Sequence, residues 1–130
     1  MYEELIPAMV TATHIACLEL TERHREVPAD AEVFSLLADF AQAPEVARLL
    51  RAGPQIVHEL AVAAGPAANR IVAHSNRRLL GDLRAADPDA AAQEMERLLR
   101  CLHFMFRLAR HSRSASRPAA EAGEQERSWM

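Results

Sequence analysis

Asp87-Pro88 is the feature that most constrains this chain. It divides "HSNRRLLGDLRAADPDAAAQEMERLLRCLHFMFRLARH", residues 74–111, into two stretches with apolar residues at helical spacing. Asp is a favoured N-cap, Pro is pre-organised for the first helical position, and Asp89 complements the positive end of the helix that follows. Before the junction, Ile71, Val72, Leu79, Leu80 and Leu83 predict an inward face for a helix over about 66–86. After it, Met95, Leu98, Leu99, Leu102, Met105 and Phe106 predict the buried face of a helix reaching about residue 111.

Similar punctuation divides the rest. Residues 2–25 read as a first helix with Leu5, Met9, Ile15 and Leu18 in its apolar stripe. Pro7 sits in its first two turns, where a missing N–H matters least. "REVPAD" ends it, because Val27 precedes a proline and is pushed out of the α region. Asp30 as N-cap predicts a second helix over about 31–42, with Val33, Phe34, Leu37 and Phe40 on one side. Pro44 opens a third, carrying Val46, Leu49, Leu50, Val57, Leu60 and Ala61. Gly53-Pro54 in its middle predicts a kink or a division into two short helices. Gly65-Pro66 starts the fourth.

Half the residues are hydrophobic but only 5% aromatic, which favours close-packed helices over a β-sandwich. The expected fold is all-α, an antiparallel bundle of five to six helices formed by residues 1–112. After His111, "SRSASRPAAEAGEQERSW" has no apolar positions at helical spacing. It predicts a flexible polar tail over 113–130, unable to offset its ordering entropy.

Charge and cysteine content exclude several functions. Net charge is −3, and residues 1–112 hold 12 Arg against 15 Asp and Glu. With a pI of about 6.1, this chain alone is not expected to bind nucleic acid. Cys17 and Cys101 are isolated, which fits a reducing compartment. No basic leader precedes an apolar run and no apolar stretch reaches the length of a membrane span. The expected location is cytoplasmic. No Ser-His-Asp or Cys-His arrangement and no phosphate loop stands out, so no enzymatic activity is expected. The histidines form no H-x-x-x-H pair. They read as surface or structural residues; the alternative is a metal site rebuilt from His14, His58, His74 or His103.

Taken in order, "EVFSLLADFAQAPEVARLL", a helix interrupted by Gly53-Pro54, and "NRRLLGDLRAADPDAAAQEMERLLRCLHFM" resemble one family. It is the C-terminal effector domain, called FCD, of GntR-type transcription regulators of the FadR subfamily. The resemblance runs from about Phe34 to Arg107, more than half of the chain. It implies an all-α bundle that dimerises and encloses a small-molecule cavity. In many members that cavity holds a divalent metal, bound by an Asp and a His one turn apart and by two further His. Here the corresponding positions are Ala31 (with Asp30 one place off), Ser35, Asn76 and Leu98. Leucine has no lone pair, and Ser or Asn oxygens are poor transition-metal ligands. The expectation is therefore no metal and no cofactor. No winged helix-turn-helix precedes the domain, so contact with DNA would need such a domain attached.

The resemblance makes Phe34, Ser35, Asn76, Arg77, Leu98, Leu102 and Met105 the candidate ligand-binding residues. Asn76 offers donor and acceptor, and Arg77 would grip a carboxylate if buried; the alternative is that Arg77 is solvated on the outer face. "CLHFMF", apolar on almost every side, predicts burial on more than one face. The expected partners are a small-molecule effector, an organic acid or something more hydrophobic, and a second copy of the chain. Two other readings stay open: a helical interaction or dimerisation module without a ligand, and a TetR-type ligand-binding domain.

Overall fold

Seven residues of the first helix lie in one seam: Ile6, Met9, Ala12, Thr13, Ala16, Cys17 and Leu20 are buried along α1 (Tyr2–Glu22). The computed structural model describes residues 2–23 and 26–128, with side chains to Ser112 only. The two alanines of the seam let neighbouring helices approach closely. Thr13 can lie in the seam because its hydroxyl donates to the Met9 carbonyl at 2.8 Å. Of the expected stripe, Met9 is buried and Leu5 and Ile15 are half-buried, but Leu18 is exposed. Leu18 lies about 200° around the helix from Ala16, on the opposite side of the seam.

The second helix starts later than expected. The Ala31 N–H bonds to the Pro28 carbonyl, holding residues 28–31 in a turn. Glu32, not Asp30, then caps α2 (Val33–Phe40), its carboxylate accepting from the Phe34 and Ser35 N–H groups at 3.1 and 2.8 Å. Pro44 opens α3 (Pro44–Ala64) as expected, and this helix passes through Gly53-Pro54 as one element, not two. Gly53 serves packing: a Cβ there would lie 2.2 Å from a carbon of the Phe34 ring, so the bare backbone seats that ring.

Gly65, at φ 109°, ends α3, and α4 (Ala67–Arg84) follows Pro66. The turn after α4 closes as a Schellman motif. The Asp87 N–H reaches the Asp82 carbonyl, the Ala86 N–H reaches the Leu83 carbonyl, and Ala86 takes the left-handed conformation at φ 55°. Asp87 then caps α5 (Pro88–Ser128), its carboxylate accepting from the Ala90 N–H at 3.1 Å. The backbone of α5 continues beyond the expected end near residue 111. The tail expected over 113–130 falls on side chains, and on residues 129–130, that lie outside the described residues.

The five helices pack as an all-α bundle around α5, which contacts α1, α3 and α4. Met95, Leu98, Leu99 and Leu102 of α5 meet Met9, Leu37, Leu50, Leu60, Leu79 and Leu83 in one core. Long-range polar contacts tie the surface: His14 Nε2 lies 2.9 Å from Asp89 Oδ1, and the Gln42 N–H donates to the Glu19 carboxylate at 2.7 Å. Among the described residues, no helix is long and apolar enough to cross a membrane.

Candidate functional site

Three hydroxyls matter to the comparison of helix faces. Thr13 and Thr21 each donate to the carbonyl four residues back, at 2.8 Å, the usual solution for a hydroxyl inside a helix. Ser75 does not. It is 4% exposed, and its Oγ is the one buried side-chain polar atom without a partner among the described residues. An unmet hydroxyl of this kind costs about 1–3 kcal/mol.

Ser75 lines a groove of about 220 Å³ between α4 and α5, together with Ile71, His74, Arg78, Glu94, Arg97, Leu98 and Cys101. The spacing explains the assembly. On α4, residues 71, 74, 75 and 78 share one flank; on α5, residues 94, 97, 98 and 101 share another. Each flank borders the core stripe of its helix, so the groove has an apolar floor and a polar rim.

Glu94 dominates the electrostatics. Its residue is 5% exposed, and a buried carboxylate must be compensated. Compensation comes from Arg78, whose Nη1 is 3.4 Å away, and from Arg97 at 3.7 Å. Both guanidiniums stand on side chains more than 60% exposed, so the pairs are loose and partly wet. On the far side of this bridge is a second hollow of about 270 Å³, lined by Arg78, Asp82, Ala90, Gln93, Glu94 and Arg97. Burial, then the Glu94 and Asp87 charges, push the Asp82 carboxyl above its usual range.

A larger hollow of about 960 Å³ lies beside the start of α1, where Tyr2, His103 and Phe106 pack ring to ring. It is bounded by exposed side chains such as Phe104, Arg107 and Leu108, and no unpartnered buried polar atom faces it among the described residues. Size alone does not make a site, and the smaller groove carries the chemistry.

The seven residues expected to line a cavity do not gather around one space. Phe34 is buried against Gly53, and Leu102 is wholly buried in the core. Ser35 and Arg77 are exposed, Asn76 is half-buried, and Met105 packs half-buried against the core. Leu98 is the member that borders the groove. Arg77 thus lies on the solvated face, while its neighbour Arg78 reaches Glu94. Ser75 and Asn76 are 100° apart around α4 and fall on opposite sides of its core stripe. The sequence reading missed Ser75, Arg78, Glu94 and Arg97; their i, i+3 spacing puts each pair on one face of its helix but does not say which flank that face meets.

Among the described residues, no three His, Cys, Asp or Glu side chains come together as a metal-binding group. Of the two cysteines, Cys17 is buried and burial pushes its thiol up to about 11, whereas Cys101 is half-buried at the groove. Comparison with protein-family models, with curated proteins and with solved structures finds no match for this chain.

Proposed function

We propose that this chain is an effector-sensing and dimerisation domain of the kind its segment order resembles, the FCD domain of GntR-type regulators, working in the cytoplasm without the family's metal. The metal does not fit the residues present: Ala31, Ser35, Asn76 and Leu98 offer no adequate donor set. The observation that carries the ligand-binding part is the unpartnered Ser75 hydroxyl at a groove between two guanidiniums. A small polar molecule there would touch both α4 and α5, and would satisfy the hydroxyl once Ser75 turns toward the groove, because its Oγ is sealed from solvent as it stands. Those two helices form the pair whose relative placement a ligand would bias, and a population shift requires such differential contact. DNA would be reached only through an attached winged helix-turn-helix domain.

A second reading, a helical interaction module without a ligand, is favoured by Phe104 and Leu108. They stand one turn apart on α5 at 63% and 52% exposure, as residues covered by a partner would. Native mass spectrometry of the purified chain, before and after gentle denaturation, separates the two. A dimer releasing a small non-metal adduct supports the sensor. A dimer releasing zinc or nickel contradicts the metal-free site, and a bare monomer or dimer moves the interaction module ahead.

A further inference from the structure

Charge is spread unevenly along this chain. Residues 1–66 hold four Arg against ten Asp and Glu, whereas residues 97–112 hold four Arg and no Asp or Glu. An acidic bundle thus carries a basic end on its last helix. The exposed apolar residues fall at that same end. At 100° per residue, Arg100, Phe104, Arg107, Leu108 and His111 lie within about 100° of the α5 surface, along about 17 Å of its length. All five are exposed. The carboxylates nearest the two arginines are loosely placed: Glu96 is 3.4 Å from Arg100 and Glu3 is 3.8 Å from Arg107. Ion pairs of this length between exposed side chains hold little free energy.

The surface beside Phe104 and Leu108 is concave. The hollow of about 960 Å³ there is also met by Tyr2, Phe106, Arg110 and His103, and Glu3 is the one acidic residue lining it among the described residues. Two arginines and two histidines therefore face one carboxylate, around an apolar pair spaced i, i+4. We infer that this face of α5 docks an acidic amphipathic helix of a partner protein. Apolar side chains of the partner pack on Phe104 and Leu108 and enter the hollow, while Asp or Glu beside them reach Arg100, Arg107 and Arg110. A second copy meeting this face by a twofold axis would set arginines opposite arginines, which like-charge repulsion opposes. An extended anionic surface, whether bilayer or nucleic acid, would also meet Glu3 and Glu4 at the start of α1; a single helix can engage α5 alone. The inference extends the interaction-module reading by naming the partner's chemistry, and it needs no ligand in the α4–α5 groove.

The test is fluorescence anisotropy of a labelled helical peptide of about 20 residues titrated with the full chain. The peptide is Ala-rich, with Leu and Phe at i and i+4 and Glu on either side, made in both sequence directions, with a Lys-for-Glu version beside it. The Glu peptide in one direction should bind saturably, and the Lys peptide should not. Phe104→Ala and Arg107→Glu should each weaken binding about tenfold without changing the chain's helical circular dichroism. Raising salt from about 0.05 to about 0.5 M should weaken it further. Equal binding of the Lys peptide, or Glu-peptide binding indifferent to Phe104→Ala, overturns the inference. So does a dimer in sedimentation that Phe104→Ala dissolves, or binding to phosphatidylserine vesicles or single-stranded DNA with the Glu peptide inert; these two outcomes keep the face as an interface for another partner. Binding of none of these probes, with the sedimentation of Phe104→Ala unchanged, overturns the inference and the interaction-module reading together.

Discussion

Replacing Gly53 by alanine tests the packing at the centre of the α2–α3 contact. Alanine is the better helix former by about 1 kcal/mol, so in open space the substitution would stabilise α3. Here the new Cβ would lie 2.2, 2.4 and 2.7 Å from three ring carbons of Phe34. Ordinary contact is about 3.5–4.0 Å, so the ring must retreat by more than an ångström. Phe34 is 6% exposed. Losing most of its burial costs about 1.5–3 kcal/mol, leaving a net destabilisation of about 0.5–2 kcal/mol after the helix gain. Urea unfolding followed by helical circular dichroism should show the midpoint falling by about 0.25–1 M with its slope unchanged. In a Phe34→Ala background the obstacle is gone, and Gly53→Ala should stabilise by about 1 kcal/mol. An unchanged or raised midpoint for the single variant, or the same loss in both backgrounds, would refute the reasoning.

Three further outcomes follow from the same structure. Gly81→Ala has nothing within 4 Å of its new Cβ and should raise stability by about 0.5–1 kcal/mol in the same urea assay, the reverse of Gly53. Asp82 binds its proton more tightly in the folded state, so its charge opposes folding above the folded pKa and ceases to do so below the unfolded value of about 3.9. Asp82→Asn should therefore raise the melting temperature at about pH 7, with the gain vanishing near pH 3; a gain that persists there would implicate something other than this charge. At about pH 8, a thiol reagent should modify Cys101 of the native chain well before Cys17, whose thiolate is suppressed by burial. Peptide mapping after partial labelling checks the order.

Much of the fold was legible because punctuation residues act locally. Pro44, Gly65-Pro66 and Asp87-Pro88 place their helix ends where the chemistry of caps and prolines puts them. One misreading came from an interaction that sequence spacing does not encode: Asp30 loses the cap to Glu32 because residues 28–31 are held in a turn. Of the kink or division expected at Gly53-Pro54, the division does not occur, and Gly53 serves as a seat for Phe34. The candidate site was less legible. A resemblance supplies positions along a helix, but the rotation of α4 against α5 decides which of two neighbours faces inward. That rotation is set by Leu79 and Leu83 meeting the α5 core, and it favours Ser75 and Arg78 over Asn76 and Arg77. A hydroxyl's lack of a partner is visible only once every possible partner has been placed.

The most direct test of the ligand-binding account is a high-resolution crystal structure of the purified chain, read at the Ser75 side chain. The account predicts an ordered small molecule in the α4–α5 groove, with the Ser75 side chain turned toward it to bring Oγ within about 3 Å of an oxygen, and contact to Arg78 or Arg97. A Ser75 hydroxyl turned back onto the Ile71 carbonyl, with Arg78 and Arg97 closed tightly on Glu94 and the groove filled by side chains, would contradict it.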